Sequence, residues 1–157
     1  SSVLPWAAAA GAGASGGLLA DKLVTSGRWN KTTIRRGFQT AATFLPACVL
    51  FALAVLPDLE PTAVIGLFTL ATASSALCVG GYSSSVQDIC RTPRLTSLLY
   101  SLTSAPAALA GAGGVYLTGV VLDRLHDWSL LFGAIAAVYL AGGIFYSINY
   151  QSEKVFD

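Results

Sequence analysis

The chain has 157 residues, of which 54% are hydrophobic and only 11% charged, with a formal net charge of +1. That balance excludes ordinary soluble usage and points to an integral membrane protein, with the lipid bilayer as its first partner and no nucleic-acid partner. No nucleophile with a partnered base, no phosphate-cradling loop and no intramembrane carboxylate pair is present, so an enzyme is not expected.

Asp, Glu, Lys and Arg divide the chain into uncharged runs at 1–20, 37–57, 62–87, 95–122 and 128–152. A hydrocarbon core about 30 Å thick is crossed by roughly 20 apolar residues of helix, because only a helix satisfies its own backbone groups where water is absent. The runs predict an all-α integral membrane fold with five transmembrane helices, at about 1–20, 37–57, 62–83, 95–122 and 128–150. A secretory signal does not account for the first run, since no basic segment precedes it; the chain begins at Ser1 without Met and reads as part of something longer.

The first run, with AAAAGAGASGG, sets Ala9, Gly13 and Gly17 on one helix face at four-residue spacing, which lets two backbones approach closely. A loop follows that holds Asp21 with Lys22, Arg28, Lys31, Arg35 and Arg36. Pro46 interrupts the second run and permits a kink. Ser74 and Ser75 in the third run and Thr103 and Ser104 in the fourth are the midspan hydroxyls able to meet a polar ligand, though such groups more often bond their own backbone. The fourth run also carries Pro106 and a second small-residue face, Ala107 and Gly111, with Ser104 and Ala108 alongside. Cys48, Cys78 and Cys90 and the single His126 show no metal-ligand or redox spacing.

Alternating the spans sorts the loops. One side receives Lys22, Arg28, Lys31, Arg35, Arg36, Arg91, Arg94 and Lys154, and the other only Arg124. Basic residues are retained on the side of insertion, so the basic loops and the C-terminus are expected in the cytoplasm or the stroma, and Ser1 opposite.

G-x-L-A-D-x-L at 17–23 followed by Arg35 and Arg36 resembles the loop motif of the major facilitator superfamily, in the copy between helices eight and nine. LADKLVTSGRWNKTTIRRGFQT followed by FLPA resembles the anion:cation symporter branch, the plant plastid phosphate and anion transporters related to the vesicular glutamate transporters. QDI at 87–89, Pro93, the segment from Ser97 to Asp123, DRLHDWSLLF and GGIFYSINYQSEKVF extend the likeness over the whole chain, as helices eight to twelve of twelve. Departures are the residues Cys90, Arg91 and Thr92 between Ile89 and Pro93, Ser104 in place of Asn and Ala107 in place of Gly.

The resemblance implies secondary transport of an inorganic or organic anion, phosphate foremost, by alternating access, coupled to a sodium ion or proton, in a plastid envelope or thylakoid membrane. It implies an inside-gate motif of Gly17, Asp21, Lys22, Arg35 and Arg36, with Asp21 near the N-terminus of the helix from about Leu95 and paired with Arg35 or Arg36. The other reading is a truncated, transporter-like structural subunit of a larger membrane assembly. In the first reading the partner is the missing first half.

Overall fold

A computed structural model describes residues 3–56, 59–90 and 92–151. The expectations for Ser1, Arg91 and Lys154 with the tail lie outside those residues. Helices α1 (Val3–Thr25), α2 (Lys31–Val55), α3 (Pro61–Ser75), α4 (Tyr82–Ile89), α5 (Pro93–Leu125) and α6 (Trp128–Asn149) follow one another, with a 3-10 turn, Ala76–Val79, between α3 and α4. Among the described residues five helical segments are long and apolar enough to cross a membrane, α3, the 3-10 turn and α4 together forming one.

Helix boundaries follow local chemistry. α1 ends where Gly27 takes a φ of +66°, a left-handed conformation that costs glycine nothing. Asn30 then starts α2, its side chain accepting from Thr32 N at 3.2 Å. Thr92 caps α5 in the same way through Leu95 N. At the far end His126 takes a φ of 52° to close α5, and Asp127 opens α6 by accepting from Ser129 N and Leu130 N. The His126–Asp127 pair is thereby accounted for as a helix-to-helix turn.

The third span, expected over about 62–83, is present over Pro61–Ile89 but is interrupted within. α3 gives way to a 3-10 turn and the chain bends through Gly80 and Gly81 before α4 begins. The bend is crowded and its freed backbone groups are partnered by Arg35 and Gln39: a Cβ on Gly80 would lie 2.9 Å from the Phe38 ring and 3.0 Å from Ala20 Cβ and the Gly16 carbonyl, and one on Gly81 would lie 2.8 Å from Gln39 N. α1 and α2 thus press on the third span from two sides, and only glycines fit between them. By contrast, Pro46 and Pro106 both lie inside continuous helices.

α2 is the hub, packing on α6 and α3, while α3 also packs on α1. Leu50, Leu53 and Ala136 form the core toward the far end, with Leu59, Val64, Leu67, Phe132, Ile135 and Tyr139 around them. Gly143 allows α6 to sit against Thr43 and Phe44 of α2. α5 differs: its 33 residues, about 50 Å of helix, include none that is buried, and its neighbours are α4 and α6.

Candidate functional site

The candidate site lies where the basic loop, the broken third span and the end of α6 converge. Arg35, one turn into α2, is 4% exposed. A guanidinium stays charged at any ordinary pH, so its burial requires acceptors for a rigid fork of donors. The fold supplies three. Nε donates to Asp88 Oδ2 at 2.8 Å, Nη1 donates to the Gly80 carbonyl at 3.0 Å, and Nη1 and Nη2 reach Asp21 Oδ1 at 3.5 and 3.4 Å. The two acids are unequal: the Asp88 side chain is 15% exposed and the Asp21 side chain 67%. The inner pair is held by low dielectric and close geometry, and the outer one is long and wet.

The remaining polar groups of α2 follow helical spacing. Gln39, one turn beyond Arg35, accepts from Tyr82 N at 3.0 Å and so caps α4 just past the glycine bend. Arg36 donates through Nε to the Tyr150 carbonyl at 2.9 Å, a cation at the C-terminal end of α6. Thr40 and Ser147 share a hydrogen bond of 3.0 Å between α2 and α6. One helix face therefore ties α2 to α4 and the adjacent face ties it to α6, and these ties bring the ends of α1, α4 and α6 to one end of the bundle.

Of the inside-gate residues named from sequence, Asp21 and Arg35 meet, whereas Arg36 bonds Tyr150 instead of Asp21. The N-terminus of α5 has Thr92 as its cap, and the partner of Asp21 is Arg35. Lys22 is exposed, and Gly17 packs on Val79, where a Cβ would stand 3.4 Å from Cγ1. Gly13 makes the same kind of contact with Ala76 and Val79, so the small face of α1 receives the 3-10 turn. Ala107 and Gly111 have no such role among the described residues: both are exposed, and a Cβ on Gly111 meets nothing within 4 Å.

The midspan hydroxyls are divided between α3 and α5. Ser74 donates to the Leu70 carbonyl, Ser75 to that of Thr72 and Thr103 to that of Leu99, so each spends a bond on its own helix. Ser75 also lines a cavity of about 410 Å³ with Thr72 and Tyr139 between α1, α2, α3 and α6. Ser104 is half-buried on α5.

Sequence reasoning missed Asp88, Gly80 and Gln39 as members of the site. The available signal was Asp88 itself, an acid at the end of an apolar run on the basic side, which simple topology does not require.

No family model matches the chain. It is similar to three proteins of Arabidopsis thaliana. Probable anion transporter 6, chloroplastic, is 34% identical over 135 residues, 85% of this chain and 26% of that protein. Sodium-dependent phosphate transport protein 1, chloroplastic, is 31% identical over 157 residues, 99% of this chain and 29% of that protein. Ascorbate transporter, chloroplastic, is 31% identical over 155 residues, 99% and 28% respectively. The chain spans between a quarter and a third of the length of these relatives, which are transporters and not enzymes.

Proposed function

The chain belongs, over the stretch it spans, to the anion-transporter branch of the major facilitator superfamily, and from this membership we propose that the whole protein carries a small anion across a plastid membrane by alternating access. Phosphate is the first candidate substrate, named in one relative that matches 99% of the chain, and ascorbate, named in another at the same identity and coverage, is the second. A sodium ion or a proton drives the movement, and the end carrying the Arg35 cluster faces the stroma or cytoplasm, in keeping with its Lys and Arg content.

The observation that carries the mechanistic part is the inequality of the two acids around Arg35. Asp88, close and mostly buried, is the standing partner that keeps α2 and α4 together. Asp21, long-bonded and exposed, is the partner that can be released at little cost when α1 moves. Alternating access needs such a link, strong enough to bias the inner face shut and weak enough to break in each cycle. The cavity between α1, α2, α3 and α6 is lined by Ser75, Thr72 and Tyr139, and an anion there draws the Ser75 and Thr72 hydroxyls off the carbonyls of Thr72 and Phe68.

The test is uptake of labelled phosphate into liposomes by the full-length protein, under a sodium gradient and then a proton gradient. Saturable uptake under one of them is expected, and Asp21→Asn is expected to lower it about tenfold with insertion intact. Undiminished uptake by Asp21→Asn removes the gate role. Uptake of another anion in place of phosphate reassigns the substrate and leaves the gate standing.

A further inference from the structure

The five cations of the first loop fall into two groups. Arg35 and Arg36 turn inward and are satisfied by protein acceptors. Lys22, Arg28 and Lys31 are exposed, and the ion pairs among the described residues are both made by Arg35. The acid of this loop, Asp21, directs its Oδ1 to Arg35 as well.

In the same stretch of chain as these three cations is an open groove of about 280 Å³, lined by Leu23, Trp29, Thr33, Ile34, Gly37 and Phe38. The Thr33 hydroxyl and the Trp29 indole N–H are the side-chain polar groups of that lining. The groove lies between the end of α1 and the start of α2, and Lys22 and Arg28 immediately precede two of its lining residues, Leu23 and Trp29. Trp29 is 63% exposed, with Trp6 at 74% and Trp128 at 58%, and its place between the basic residues suits an amphipathic ring at the level of lipid headgroups.

A free inorganic anion would use the cations and gain nothing from an apolar groove, and a neutral acyl chain would use the groove and gain nothing from the cations. An amphiphile uses both. We infer that the groove between α1 and α2 seats an anionic phospholipid of the leaflet at this end, its chain against Leu23, Ile34 and Phe38 and its headgroup held by Lys22, Arg28 and Lys31. Topology alone requires cations here but not an apolar groove.

The experiment uses the full-length protein with Trp29 as its one tryptophan, Trp6 and Trp128 among those replaced by Phe, in liposomes of phosphatidylcholine with a minority of phosphatidylglycerol. Bromine is placed on the acyl chains of one lipid or the other, and quenching of Trp29 fluorescence is measured at equal mole fractions. Brominated phosphatidylglycerol is expected to quench several-fold more strongly, each engaged cation enriching the acidic lipid by up to about fivefold. The joint variant Lys22→Gln, Arg28→Gln, Lys31→Gln is expected to bring the ratio to one, and Lys22→Arg, Arg28→Lys, Lys31→Arg to keep it. Equal quenching by both lipids overturns the inference, as does a preference that survives neutralisation. A preference erased by inorganic phosphate at constant ionic strength also overturns it, assigning the cations to a free anion. Should the neutral variant fail to insert, the lipid comparison and the phosphate competition on the charge-retaining protein still decide.

Discussion

Two glycine pairs, Gly80–Gly81 and Gly113–Gly114, are alike in sequence and opposite in circumstance. The first pair is pressed by α1 and α2 so closely that a Cβ on either residue would stand under 3.0 Å from a neighbour, and there the span breaks. The second pair has nothing within 4 Å, and α5 runs through it as a regular helix. A Gly-Gly pair therefore does not break a membrane helix by its flexibility. Crowding alone does not break it either, since a Cβ on Gly143 would stand under 3.0 Å from Thr43 in an unbroken α6; at Gly80–Gly81 the neighbours also supply partners for the groups that the break releases, Arg35 for the Gly80 carbonyl and Gln39 for Tyr82 N.

The largest effect is expected from removing that supply. Arg35→Gln leaves Asp88 mostly buried without its cation and the Gly80 carbonyl without its donor, and is expected to cost about 3–5 kcal/mol. The folded fraction recovered in detergent by size-exclusion chromatography reports it, and recovery equal to the unaltered protein would show that the break stands without Arg35.

Gly81→Val is expected to cost about 1–3 kcal/mol by overpacking, because of the two nearest atoms, Gln39 N and Oε1, the backbone nitrogen cannot swing aside. Thermal unfolding in detergent should fall by several degrees. An unchanged midpoint would mean that the bend tolerates a side chain and that crowding has no part in it.

Asp21→Asn comes next, at about 1 kcal/mol or less, since its carboxylate is exposed and the bond is long. Its stability should hardly change although transport falls, and a loss of stability as large as that of Arg35→Gln would erase the distinction between standing and releasable partners. The smallest effect belongs to Gly113→Val. In the isolated chain it should leave the recovery of folded protein unchanged, since the added side chain meets open space. A marked loss there would reveal a packed face on α5 that the described residues do not show.

The pairing of Asp21 with an arginine of its own loop was legible because one Asp in a loop rich in Lys and Arg is unexplained by topology. Arg35 and Arg36 looked equivalent in sequence. They are adjacent in chain, but successive residues on a helix diverge by about 100°, so one meets Asp88 and the other the end of α6. Ala107 and Gly111 read as a packing face by the same spacing as Gly13 and Gly17, yet among the described residues only the α1 face meets another segment, the 3-10 turn. Spacing states that a face can pack and is silent on what packs against it.

Composition and the intervals between charges were enough to determine that the chain lies in a membrane, how many times it can cross, and which of its loops share a side, because transfer of charge into hydrocarbon is costly whatever the fold. The break in the third span, the choice of Asp88 as the standing partner of Arg35 and the unburied state of α5 were decided only when helices met in space. Each of these depends on atoms brought together from residues far apart in the chain, and a buried guanidinium selects its acceptors by distance and geometry, which local sequence does not encode.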